Sequence, residues 1–122
     1  MANTTENVTG FKTFTATAAA IARGVRVQFD GTNILVAGAT DVAIGVTQES
    51  IAASGSGTVK LFGAPGTFLI QVHSSMNAGV HLYPAASGRV DDAGTTKIGL
   101  LSLEAATAQG DIIECTPVLL GA

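Results

Sequence analysis

Apolar and polar residues alternate in short runs along most of this chain, and glycine-rich turns cut the runs apart. "VRVQF" (25–29) is the clearest. Val25, Val27 and Phe29 fall on one side and Arg26 and Gln28 on the other, the two-residue period of a half-buried strand. "DGTN" follows, and Asp-Gly accepts the positive φ of a tight hairpin, so "ILVAG" returns as the partner strand. "FKTFTATA" (11–18) alternates more loosely. Further on, "VAIGV", "TVKLF", "TFLIQV", "VHLYP", "KIGLLSL" and "IIECTPVLL" read as strands between the loops "ESIAASGSG", "GAPG", "SSMNAG", "ASGRVDDAG" and "EAATAQGD". Strands at this spacing with glycine-rich turns indicate an all-β fold, a compact sandwich or barrel. The Ala-rich pieces "AAAIAR", "SIAAS" and "LEAATA" supply at most one or two short helical turns, because isolated helices of that length are marginal.

The pattern is stated twice. "GVRVQF" at Gly24 recurs as "GVHLYP" at Gly79, 55 residues on. Ile44-Gly45 recurs as Ile98-Gly99 and Glu49 as Glu104, at nearly the same offset. Each unit, about 24–62 and 79–117, reads strand, turn, strand, Ile-Gly strand, small-residue loop, strand. Two units are too few for a solenoid. They suit a pseudo-symmetric barrel or sandwich whose halves pack their apolar faces together. Residues 1–10 carry no periodicity and read as a flexible N-terminal arm before a single β-domain spanning 11–122.

Composition narrows the function. Of 122 residues, 47% are apolar and 12% charged, about half the usual charged share of roughly a quarter. So little charge implies that part of the surface is buried against another molecule. Small and β-branched residues abound and Trp is absent, which suits thin β-layers. A net charge of −3, with Lys12, Arg23, Arg26, Lys60, Arg89 and Lys97 scattered singly, leaves no basic patch for nucleic acid. No apolar run approaches the ~18 residues of a membrane span. "MANTTENVTG" has neither the charged nor the apolar region of a secretory signal, so synthesis in a reducing cytoplasm is expected.

Candidate chemistry is thin. His73 and His81 have no acid at a metal-ligand spacing, and phosphate-binding, zinc-protease and nucleophile-elbow motifs are missing. His81 is in phase with Tyr83 on a face directed to solvent or an interface. Asp91-Asp92 in "GRVDDAG" reads as turn chemistry, and Glu49 and Glu104 as solvated strand ends rather than a paired acid and base. Cys115, the one cysteine, cannot form an intrachain disulfide and reads as a small buried hydrophobe. No catalytic residue, cofactor or metal is expected.

The ordered set of motifs resembles the small capsid decoration (cement) proteins of tailed bacteriophages. It runs from "ATAAAIARGVRVQF" through "VAIGV", "GTVKLFG" and "GVHLYPAASGRV" to "KIG" and "GDIIECTPV", roughly Ala16 to Val118. "CTP" departs from the pattern, where Val is commoner. The resemblance implies a homotrimer on the outer surface of an expanded shell, its partner the major capsid protein, straddling neighbouring subunits against the pressure of packed DNA. Direct nucleic-acid or membrane contact is not implied. Within that reading the arm is the candidate capsid contact: Asn3, Thr4, Thr5, Glu6, Asn7, Val8, Thr9 and Phe11. They are too polar to join a core, yet run into an alternating strand, as a segment adding to a sheet edge would. The competing class is a carbohydrate- or receptor-binding β-module displayed on a virion. Sugar binding needs exposed aromatics, whereas Phe11, Phe14, Phe29, Phe62, Phe68 and Tyr83 mostly fall in apolar strand phase.

Overall fold

The computed structural model describes residues 8–120 and is all-β. Its strands are β1 (Phe11–Thr15), β2 (Arg26–Phe29), β3 (Ile34–Val36), β4 (Gly45–Thr47), β5 (Ser56–Leu61), β6 (Phe68–Gln71), β7 (Tyr83–Pro84), β8 (Val90–Asp91), β9 (Leu100–Ser102) and β10 (Ile112–Pro117). The first five form an antiparallel sheet in the order β1-β5-β4-β2-β3. In the second half β6, β10 and β9 form one sheet and β7 and β8 another. An isolated bridge between His81 and Leu101 joins them, so the order β6-β10-β9-β7-β8 matches that of the first half.

Hydrogen bonds recur with the strands. The Ile21–Ile51 bridge has its counterpart in Met76–Ala106, and Ala16–Ile34 in Val72–Val90. Gly24 N–H donates to Thr47 O at 3.0 Å, and Gly79 N–H to Ser102 O at 2.8 Å. The Thr47 hydroxyl accepts from Val25 N–H and donates to Ala22 O, and the Ser102 hydroxyl does the same for Val80 N–H and Asn77 O. Buried hydroxyls are costly without partners, so Thr and Ser at these two positions have one shared reason. The recurrence begins at β1 and β6, ahead of Gly24 and Gly79.

The core follows the same rule. One cluster holds Ala16, Ile21, Val27, Ile34, Ile51 and Val59. The other holds Val72, Met76, Leu82, Val90, Ala106 and Cys115 at the matching positions. Val46, on the opposite face of the first sheet, belongs to the second cluster and ties the halves together.

As the limit of one or two short turns anticipates, "AAAIAR", "SIAAS" and "LEAATA" form no helix, because Ile21, Ile51 and Ala106 are drawn into interstrand bridges; among the described residues the one helical turn is a 3-10 turn at Ala86–Gly88. Two expectations are corrected. Arg26, expected outside, is 1% exposed, while Phe29, expected inside, is 45% exposed and packs its ring 5.6 Å from that of Phe14. The alternation of "VRVQF" separates two faces correctly, but the second half of the chain covers the Arg26 face. Finally, Gly45 and Gly99 are not counterparts. Ile44 N–H donates to Val27 O and Ile98 N–H to Leu82 O, but one extra residue, Gly99 at φ +83°, separates Ile98 from β9. Gly45 is needed for another reason: a methyl there would lie 2.9 Å from Val59 Cγ1 and 3.0 Å from Leu61 Cα.

Candidate functional site

Of the candidate capsid contacts, Asn3, Thr4, Thr5, Glu6 and Asn7 lie outside the described residues. Val8 is 83% exposed, Thr9 is exposed and Phe11 is 41% exposed. They lead into β1, which occupies an edge of its sheet. Four of its five residues are exposed. Just beyond its end, the Ala16–Ile34 bridge joins it to β3.

The most specific polar construction joins the two halves. Arg26 Nη2 donates to Ala85 O at 2.8 Å and to Arg89 O at 3.1 Å, and its Nε donates to Arg89 O at 3.2 Å. These carbonyls flank the 3-10 turn, so the guanidinium fork gives Ala85 O a donor and adds to the hydrogen bond that Arg89 O accepts from Ala85 N–H at 2.9 Å. Burial lowers the Arg26 pKa, and nearby Asp41 opposes that shift. Gln71 N–H donates to Gly24 O at 2.7 Å, and Gln71 Nε2 to Arg23 O at 2.8 Å. Arg89 Nε in turn donates to Gln71 Oε1. Lys60, also buried, donates from Nζ to Thr67 O and lies over the Phe68 ring at 4.5 Å. Alternation marks which face Arg26 and Lys60 occupy but is silent on what covers it.

The titratable candidates are each used locally. Glu49 accepts from Thr58 N–H at 3.2 Å and Glu104 from Glu114 N–H at 2.7 Å, each tying a loop to the following strand of its own half. Asp91 accepts from the Ser74 hydroxyl and Asp92 N–H. Burial raises its pKa, but these hydrogen bonds and nearby His73 outweigh that, leaving it below the ordinary carboxylate value. His73 Nδ1 and His81 Nδ1 are buried with no hydrogen-bond partner among the described residues. Cys115 is fully buried; burial, with Glu114 adding to it, pushes the thiol up to about 12. Among the described residues no three His, Cys, Asp or Glu side chains converge to hold a metal.

A cleft of about 760 Å³ lies where the halves meet, lined by Asp41, Phe62, Pro84, Thr96 and Ile98 among others. Asp41 in its wall is already engaged, accepting from Gly38 N–H at 2.8 Å and Gln28 Nε2 at 3.0 Å. Phe62 is its one aromatic lining residue.

The outer faces of the halves differ, and the sequence reading missed this. Leu69, Leu103 and Ile112 all remain more than a third exposed on the second half. Thr13, Gln48 and Ser56 stand at the matching places of the first. The signal was present: "TFLIQV", "KIGLLSL" and "IIECTPVLL" are continuous apolar runs, as in strands apolar on both faces.

No protein-family model matches the chain, and no curated protein matches it. Among solved structures it is similar to the head fiber gp8.5 N base of bacteriophage phi29. The TM-score is 0.70 at 14% identity, covering 88% of this chain and 93% of that one. At that identity the likeness is one of fold. No helix among the described residues is long and apolar enough to cross a membrane.

Proposed function

We propose that this chain is a structural protein of a tailed-phage virion. It binds the outer surface of the expanded capsid as a homotrimer and cements neighbouring major capsid protein subunits against internal DNA pressure. The observation that carries the reading is the fold shared, over nearly the full length of both chains, with a phage head fiber base. Low charge and exposed apolar side chains support it, because they fit a protein whose work is contact. The reading involves no catalysis, no cofactor and no direct nucleic-acid contact, and it places synthesis in the host cytoplasm.

Attachment falls to the arm in this reading. Residues Asn3 to Thr9 and Phe11 add to a sheet edge on a capsid subunit through backbone hydrogen bonds. Three arms on one trimer act together by effective concentration, so weak single contacts suffice. The test is co-sedimentation of the purified protein with expanded shells that lack it. The full chain is expected to bind saturably, and a chain deleted for residues 1–10 to fold and self-associate normally but bind far more weakly. Failure of the full chain to bind shells overturns the proposal. Equal binding by both chains moves the contact from the arm to the folded domain.

A further inference from the structure

The contact between the two halves uses one side of the first half and one edge of the second, and the counterpart of each is exposed or half-buried. In the first half, Gly24 is buried: its carbonyl accepts from Gln71 N–H on β6 at 2.7 Å. A methyl added to Gly24 would stand 3.5 Å from Ile112 Cδ1 and 3.6 Å from Leu69 O. Beside it, Arg26 reaches the turn of the second half, and Val46 enters its core. In the second half, Gly79 has the same conformation (φ +79° against +78°) and the same hydrogen bond to its neighbouring strand. Yet Gly79 is exposed, with nothing within 4 Å of where its side chain would be. Ala78, the counterpart of Arg23, is exposed too. His81, the counterpart of Arg26, carries a buried Nδ1 without a partner among the described residues, and Leu101, the counterpart of Val46, is half-buried rather than enclosed.

The complementary strand is exposed at Thr13 and Thr15. β6 receives Gly24 through Gln71, and the strand matching β6 is β1, where Thr15 takes the place of Gln71. β1 borders its sheet with Thr13 and Thr15 exposed. The chain therefore carries, on opposite halves, the two sides of a contact it already makes once within itself.

We propose that a second copy of this chain completes that contact head-to-tail, the Ala78–Gly79 loop and Leu101 of one copy docking on β1 of the next. The partner is fixed by the intrachain contact, because the surface that fits Gly79 and its neighbours is the one that matches β6. A contact between unlike patches closes into a ring or grows as a filament. In a trimer it gives a ring of six units, intrachain and interchain contacts alternating. β1 is more polar than β6, with Thr13 and Thr15 for Leu69 and Gln71, so the interchain contact is the weaker. This deepens the proposed function, since it assigns the interface of the trimer, and it is tested apart from shell binding.

The test uses two full-length variants, Ala78→Cys and Thr15→Cys, both at exposed positions, mixed and mildly oxidised. Cys115 is enclosed and stays out of the reaction. The expected result is a disulfide-linked two-chain product in the mixture and none from either variant alone. No product in the mixture, or as much from one variant alone, overturns the head-to-tail contact. So does a wild-type protein that sediments as a monomer at micromolar concentration. A missing cross-link with intact shell binding rejects this interface and leaves the proposed function standing; a cross-link without shell binding does the reverse.

Discussion

The two halves of this protein share a backbone and differ in what covers it. Strand order, bridges, core positions and even the buried hydroxyls of Thr47 and Ser102 recur. The first half places Arg26 and Val46 under the second, while His81 and Leu101 at the same places are only half-buried. The outer face is Thr13, Gln48 and Ser56 in one half and Leu69, Leu103 and Ile112 in the other. Core positions answer to the fold and so resemble each other; outward positions answer to whatever each half touches and so diverge.

The largest expected effect separates two glycines that look alike in sequence. Gly45→Val forces β4 away from β5, where a side chain would strike Val59 and Leu61, and is expected to abolish folding. Gly99→Ala meets only the cost of a left-handed conformation, about 1–2 kcal/mol. Chemical denaturation of both variants checks this, and equal losses would mean that Gly99 is as enclosed as Gly45.

Arg26 and His81 come next. Arg26→Ala takes the guanidinium donor from the Ala85 carbonyl and leaves the Arg89 carbonyl with Ala85 N–H alone, and is expected to cost about 3 kcal/mol. Arg26→Lys recovers little of it, since an ammonium cannot reproduce the fork. His81→Ala is expected to cost less than about 1 kcal/mol in the isolated chain. A comparable loss at His81 would show that the halves are equally braced.

Much of this was legible from residue order. The strands, the "DGTN" turn and the doubling of Gly24 at Gly79 follow from spacing and turn chemistry. What resisted was relational. Nothing in "VRVQF" says that the other half lies over Arg26, and Ala-rich "AAAIAR" gives no sign that Ile21 pairs with Ile51. The Ile-Gly echo misled by one residue, because Gly99 is an insertion ahead of β9. The apolar outer face was visible in unbroken apolar runs, but its exposure depends on how the sheets stack.

Smaller effects sharpen the comparison. Ile44 and Ile98 are both half-buried against their own cluster, so truncation of either to Ala is expected to cost about 2 kcal/mol. Denaturation curves that differ strongly between the two would break the equivalence. The smallest effect concerns acid. Asp111 accepts from Thr107 and Ala108 N–H, and those hydrogen bonds hold its carboxyl below the ordinary value. The matching position in the first half is Gly55. A depressed folded pKa contributes stability that is present above about pH 4 and lost as pH falls through the folded value. Asp111→Asn is expected to flatten the acid limb of the stability curve slightly; an unchanged limb would place acid sensitivity elsewhere.

The central claim is mechanical, and heating DNA-filled particles with and without this protein tests it most directly. If the protein cements the shell, decorated particles release their DNA at a clearly higher temperature than undecorated ones. Identical release temperatures for saturated and bare particles would contradict the account.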